Sequence, residues 1–383
     1  MSLKIASRGT VPPFIVMDVM RAANERAAAG GDVLHLEVGQ PSTGAPAGVV
    51  AAVQAVLGQQ ALGYTDALGL PPLRRRIARH YADWYGVTVD PERVVVTTGS
   101  SGAFLLAFLA CFEPGDRVVL TDPSYPCYRN ILKALGVETV HIPVGPDTRF
   151  QPSPALLDRV DGRIDGLIIA SPSNPTGSMI RPGELRALTA YCNDRGIRLI
   201  SDEIYHGITY DEPAVTALSL GGDAVIVNSF SKYFSMTGWR LGWMVVPEAL
   251  VMPVERLAQN LFISPPTLSQ HGGIAAFDCH EELRTNVARY AENRALLLRE
   301  LPKAGIDRLA PSDGAFYVYA DVSHLTNDSG EFCRRLLAET GVAATPGIDF
   351  DTGRGSGTLR FSFAGSTKEV GEAASRLRTW LRA

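Results

Sequence analysis

Between residues 93 and 246 the hydrophobic pattern is a series of short, unbroken apolar runs rich in β-branched residues, separated by stretches with helical spacing. Unbroken runs, rather than strict alternation, predict strands buried on both faces and therefore a mainly parallel sheet covered by helices. The runs place strands at 93–97, 117–121, 139–143, 166–170, 198–201, 224–228 and 241–246, with helices at 101–111 and 128–135. Beyond them the pattern changes. A long amphipathic helix at 281–301 leads to a strand at 315–322, a helix at 331–340, a strand at 358–363 and a terminal helix from Lys368. A helix at 17–29 and the turn Gly39-Gln40-Pro41 are expected to join this later part. The expected architecture is α/β, with a mainly parallel seven-stranded sheet in a large domain (47–285) and a smaller α+β domain (1–46 and 286–383).

Length and composition fit that reading. A chain of 383 residues is too long for one small core. Its 46% hydrophobic and 20% charged residues are ordinary for a globular protein, and 36 basic against 40 acidic residues give a net charge of −4 with no long run of either sign. Neither a nucleic-acid surface nor a polybasic membrane patch is expected. Five scattered cysteines (Cys111, Cys127, Cys192, Cys279, Cys333), never spaced C-x-x-C, argue against a disulfide framework or a structural zinc site. The stretch Met1–Arg8 has no apolar signal core, and no run reaches 18 apolar residues, so a cytoplasmic location is expected.

The residues with chemical potential cluster at the predicted strand ends, where open parallel sheets bind ligands. Lys232 follows the run 224–227 and is flanked by Ser229, Ser231 and Arg240. That combination suits an amine forming a Schiff base with an aldehyde cofactor whose phosphate is held by hydroxyls and a guanidinium. Alone, a lysine after a strand is far more often a plain surface lysine. Asp202 follows the strand 198–201; a carboxylate there can cap a helix, act as a base, bind a metal or keep a pyridine nitrogen protonated. Metal binding is disfavoured because only Glu203 and His206 accompany it. Tyr205 lies one helical turn beyond and can donate to the phenolic oxygen of such a ring. Asn174, within Ser171-Pro172-Ser173-Asn174-Pro175-Thr176-Gly177, is either part of a plain turn or an amide donor to a ligand oxygen. Gly99-Ser100-Ser101 passes from strand to helix, which suits either a helix cap or a phosphate site. It matches neither the P-loop nor the G-x-G-x-x-G fingerprint.

Taken in order, the motifs resemble those of fold-type I, pyridoxal-phosphate-dependent aminotransferases of the class I/II, aspartate aminotransferase-like family. The carriers are E-V-G-Q-P at 37–41, G-Y-T-D-A-L-G-L-P-P-L-R at 63–74, T-G-S-S-G-A at 98–103 and D-P-S-Y-P-C-Y at 122–128. S-P-S-N-P-T-G at 171–177, S-D-E-I-Y at 201–205, S-F-S-K through G-W-R-L-G at 229–242 and L-R-F-S-F-A at 359–364 complete them. The resemblance implies that Lys232 forms the Schiff base and moves the proton, and that Asp202 pairs with the pyridinium nitrogen. Asn174 and Tyr205 would bond the ring oxygen and Tyr125 would stack on the ring. Ser100, Ser101, Ser229 and Arg240, with help from Ser231, would hold the phosphate of pyridoxal 5′-phosphate. Arg360 would grip the substrate carboxylate, with the Gly39 N–H nearby. Tyr64 matches a tyrosine that reaches the partner subunit's phosphate, implying a homodimer with shared sites. Without the family pattern, Arg360 between Leu359 and Phe361 reads as a solvent-facing strand residue.

The implied reaction is ping-pong transfer of an amino group from an L-amino acid to a 2-oxo acid such as 2-oxoglutarate or pyruvate. The entrance segment, Val11 to Met17, is apolar, and no second anion clamp is evident, so an uncharged donor is expected. Arg21, Arg129 or a partner arginine would overturn that expectation. A lyase, decarboxylase or synthase would use the same residues. An aminotransferase-like regulatory protein is disfavoured because the chain starts directly at the entrance segment.

Overall fold

The computed structural model describes residues 3–59 and 61–382, so Met1 and Ser2 of the N-terminal stretch lie outside the described residues. In chain order the strands are β1 (Leu34–His35), β2 (Val94–Thr97), β3 (Arg117–Asp122), β4 (Glu138–Pro143), β5 (Gly166–Ala170), β6 (Arg198–Asp202), β7 (Val225–Ser229) and β8 (Gly242–Val245). There follow β9 (Arg308–Leu309), β10 (Tyr317–Asp321), β11 (Val342–Ala343), β12 (Thr345–Pro346) and β13 (Thr358–Ser362).

Strands β2 to β8 are the seven expected apolar runs, and they form one sheet in the order β2-β8-β7-β6-β5-β3-β4. Pairing is parallel from β7 across to β4, while β8 runs antiparallel to both β7 and β2. Every residue of β2, β7 and β8 is buried, which is why these runs show no polar alternation. Around Trp243 of β8 the aromatic rings interlock: Phe230 lies edge-on to it at 4.9 Å, and the indole N–H donates to the Tyr81 hydroxyl at 3.1 Å.

The reversed strand matters for the site. Gly242 opens β8 opposite Thr97 and Ser229, the last residues of β2 and β7. The segment before β8, carrying Arg240, therefore arrives at the same edge as the carboxyl ends of the parallel strands.

A second, four-stranded antiparallel sheet has the order β12-β13-β10-β9, and β1 pairs in parallel with β11. The N-terminal segment thus pairs with the later part of the chain. The helix Ile15–Ala28 begins on the carboxylate of Asp349, which accepts from the Ile15 and Val16 N–H groups at 3.1 and 3.0 Å. The helix His280–Lys303 runs unbroken across the expected boundary at 285.

Two local expectations are corrected. Residues 204–207 after β6 form a turn rather than a helix, because Asp202 Oδ1 accepts from Ile204 N at 3.1 Å and closes the chain back on itself. The strand expected from Ala315 starts only at Tyr317, since Ala315 has φ +56°. All five cysteines are free, and among the described residues no helix is long and apolar enough to cross a membrane.

Candidate active site

A cavity of about 330 Å³ opens at the carboxyl edge of the large sheet, facing the small one. Its walls include Ser100, Ser101, Tyr125, Asn174, Asp202, Tyr205, Ser231, Lys232, Arg240, Gly39 and Arg360. Eleven of the thirteen residues expected at the site therefore meet in one space. Ser229 does not line it: its hydroxyl accepts from Ser231 N at 3.0 Å and donates to the Leu241 carbonyl at 3.4 Å, bracing the loop that carries Lys232. Tyr64 stands 86% exposed and away from this cavity.

At one wall the helix Gly99–Cys111 points its N-terminus into the space. Arg240 lies against it, and a Cβ at Gly99 would run into the guanidinium, so the absence of a side chain there creates the seat. The guanidinium donates only to the Thr237 carbonyl, at 3.0 Å, among the described residues. A cation beside the positive end of a helix is unfavourable unless an anion sits between them. With backbone N–H groups and the Ser100, Ser101 and Ser231 hydroxyls around it, the place suits a phosphate.

Deeper in, Asp202 is 3% exposed and receives hydrogen bonds from Ile204 N and from the Tyr128 hydroxyl. Burial pushes its carboxyl up to about 6, and those two bonds, with the charge of Lys232, keep it from rising further. At neutral pH it remains mainly an anion, as pairing with a protonated ring nitrogen requires. Lys232 Nζ donates to the Gly39 carbonyl at 2.7 Å and lies 5.7 Å from the centre of the Tyr205 ring. Burial lowers its ammonium to about 8; Arg360 and Arg240 act in the same direction, while Asp202 opposes them. An appreciable fraction of the amine is thus neutral and nucleophilic near physiological pH. Gly39 lines the cavity and accepts from Lys232 through its carbonyl.

On the opposite wall Arg360 is 2% exposed, which overturns the solvent-facing alternative. Its guanidinium is sandwiched between the rings of Tyr317 (4.4 Å) and Phe350 (4.7 Å). It donates to the Glu37 carbonyl, to Thr345 Oγ1 at 3.2 Å and to Asn174 Oδ1 at 2.8 Å, and its buried Nε has no partner among the described residues. A buried guanidinium held by neutral acceptors, with a donor left over, is complementary to a carboxylate entering the cavity. Because Asn174 spends its carbonyl on Arg360, its amide hydrogens remain to face a ligand oxygen.

Two residues of this site escaped the sequence reading. In the sequence Tyr128 reads only as part of a helix, and Tyr317 only as part of a strand. Tyr128 bonds Asp202 across 74 positions, and the Tyr317 hydroxyl lies 2.6 Å from that of Tyr205 across 112. A tyrosine following Tyr125 at i+3 was the one local signal for the first, since it shares a helix face with the ring wall.

The donor set fits pyridoxal phosphate: an anion seat, a buried carboxylate, an amine of lowered basicity and ring-oxygen donors share one cavity. Comparison with known proteins agrees. The model of the family "Aminotransferase class I and II" matches residues 31–377. Valine–pyruvate aminotransferase of Mycobacterium tuberculosis is 54% identical over 385 residues, covering 100% of this chain and 99% of that protein. The crystal structure of an aminotransferase from M. tuberculosis superposes with TM-score 0.98 at 54% identity, each chain fully covered. Aspartate aminotransferase of Thermus thermophilus with maleate gives 0.92 at 30% identity, covering 99% and 100%. The chain belongs to the class I and II aminotransferases and is a pyridoxal-phosphate-dependent enzyme that transfers an amino group to a 2-oxo acid.

Proposed function

We propose that the amino donor is L-valine or another uncharged L-amino acid of similar bulk, and that the acceptor is pyruvate or a comparable monocarboxylic 2-oxo acid. One observation carries this reading. The cations lining the cavity are Lys232, Arg240 and Arg360, while the wall toward the entrance is formed by Phe14, Val16, Met17 and Val38. With the first two directed to the cofactor, Arg360 can bind one carboxylate, and a second would be desolvated against apolar side chains. The two arginines of this chain that could have changed the picture do not line the cavity. Arg21 is exposed and paired with Asp18 at 2.6 Å, and Arg129 donates to the Asp349 carbonyl at 2.6 Å. The name of the 54% relative, which carries valine and pyruvate, supports the same choice. Among the described residues Arg360 is the one lining cation left for a substrate carboxylate, which favours pyruvate over 2-oxoglutarate.

The geometry supports the following roles. Arg240, Ser100, Ser101 and Ser231 would hold the phosphate, and Asp202 would keep the ring nitrogen protonated while Tyr128 fixes the carboxylate's position. Tyr125, edge-on to Tyr128 and Phe14, provides a ring face. Asn174 and Tyr205 donate to the ring oxygen. Arg360 orients the substrate by its carboxylate so that its Cα faces Lys232. Bound pyridoxal phosphate supplies the electron sink and the Schiff-base linkage to the amino group. Lys232, neutral once freed, would take the proton from the substrate Cα and hand it to the cofactor's C4′ carbon, and the 2-oxo acid half of the cycle would run the same transfer in reverse. The apolar entrance segment limits water around that transfer.

We further assign 47–285 to a cofactor-binding domain and 1–46 with 286–383 to a small domain, a cytoplasmic location, and a homodimer in which Tyr64 reaches the partner's phosphate seat. Half-reaction rates test the substrate assignment: L-valine should convert the cofactor at least about 100-fold faster than L-aspartate, and the reverse ranking would defeat it. With L-valine alone the visible band should change once, stoichiometrically. Continuous release of ammonia would indicate a lyase instead.

A further inference from the structure

We propose that Tyr317 is a positioning residue serving two groups at once: its hydroxyl makes Tyr205 a stronger hydrogen-bond donor, and its ring holds the Arg360 guanidinium toward the cavity. The inference rests on the roles given above to Tyr205 and Arg360.

Tyr317 opens β10 opposite Ser362, and Tyr319 pairs with Arg360, so Tyr317 and Arg360 are diagonal neighbours on one face of the antiparallel pair. That relation brings the guanidinium over the Tyr317 ring at 4.4 Å. The far end of the same ring reaches the loop after β6, where its hydroxyl oxygen lies 2.6 Å from that of Tyr205. Among the described residues this is the only hydrogen bond of the Tyr317 hydroxyl. A Cβ at Gly39 would collide with it, so the 37–41 loop closes over this contact only because residue 39 has no side chain.

The proton count gives the bond a direction. Each phenol has one proton, and the groups facing Tyr205 are Asp202, Arg360, Lys232 and Tyr317 itself. Burial pushes both phenols above their ordinary range, so both stay protonated. If Tyr205 spends its proton on a ring oxygen, the bond between the hydroxyls runs from Tyr317 to Tyr205. A phenol that accepts one hydrogen bond donates a stronger one. The small sheet therefore adjusts a donor that belongs to the large sheet, through the same side chain that supports the carboxylate clamp.

Substitutions separate the two halves. Tyr317→Phe keeps the ring and removes the hydroxyl. A weaker Tyr205 donor leaves more charge on the cofactor's ring oxygen, which then retains its neighbouring proton to higher pH. In the holoenzyme the pH midpoint of the visible cofactor band should rise by about half a unit or more, with the KM for L-valine within about twofold. Phe350→Leu removes the other ring on Arg360, which makes no hydrogen bond to Tyr205. It should raise KM about fivefold and leave the midpoint in place. Tyr317→Leu should do both. Thermal unfolding of each holoenzyme identifies a folding defect, and the Phe variant, which keeps the packing, decides in that event. An unmoved midpoint in Tyr317→Phe, with a moved one in Tyr205→Phe, overturns the inference alone. An unmoved midpoint in Tyr205→Phe overturns the role of Tyr205 as well. Equal KM values for the Phe and Leu variants overturn the role of the ring.

Discussion

Arg240 and Arg360 face one cavity, and neither is paired with a carboxylate among the described residues, yet they are held in different ways. Arg240 is exposed, in a left-handed turn residue (φ +50°), with one hydrogen bond and a seat provided by the bare Cα of Gly99. Arg360 is immobilised between two rings on a central strand, with three neutral acceptors around it. The difference matches what each would bind. A cofactor that stays in place can share its phosphate among hydroxyls, N–H groups and a screened cation. A substrate that enters and leaves in every cycle is best met by a preorganised, desolvated charge whose cost is met in folding.

The largest break in this comparison should come from Arg360→Leu. Removing a buried, hydrogen-bonded partner costs roughly 2–5 kcal/mol, so kcat/KM for L-valine should fall about 10²–10³-fold, mostly through KM. Equal losses for amines lacking a carboxylate would show that Arg360 serves packing alone. Next, Asp202→Asn should lower kcat about 100-fold with little change in KM, whereas Tyr128→Phe should cost only a few-fold; steady-state kinetics on both variants check the order. Arg240→Ala should weaken cofactor binding about tenfold at low salt. Because Arg240 is exposed, that gap should shrink at 1 M salt, whereas the Arg360→Leu defect should persist. Titration of the apoenzyme with cofactor at two salt concentrations separates the two arginines.

The smallest effect concerns Lys232. The rate at which the apoenzyme captures the cofactor should rise with pH through about 8, because only the neutral amine attacks. Burial is the main cause of that lowered value and Arg360 the next. Arg360→Leu should therefore move the midpoint upward by a few tenths of a unit. A downward shift would mean that the like-charge contribution has been misread.

The two arginines also differ in how plainly they could be read. Arg240 sits in a contiguous motif with Lys232, and the seven apolar runs located each strand of the large sheet to within one residue at either end. Burial on both faces writes itself into local composition, so that part of the fold was legible. Arg360 between Leu359 and Phe361 was ambiguous, because alternation cannot say whether the polar face meets water or another domain. Tyr128 and Tyr317 were not legible as site residues at all: their partners lie 74 and 112 positions away, and pairings across that distance leave no periodic trace. Ser229 shows the converse. The motif suggested a phosphate ligand, but the structure commits its hydroxyl to the Lys232 loop, a choice made by a backbone turn that side-chain identity does not encode.

The chemistry of the cavity converges on one amine. The sequence contains five lysines, Lys4, Lys133, Lys232, Lys303 and Lys368, and of these Lys232 lines the cavity. Reduction of the holoenzyme with borohydride, followed by digestion and peptide mass measurement, should find the cofactor's mass on the peptide containing Lys232, with none in Lys232→Ala. The cofactor's mass on any other lysine, or undiminished turnover of L-valine in that variant, would contradict the account.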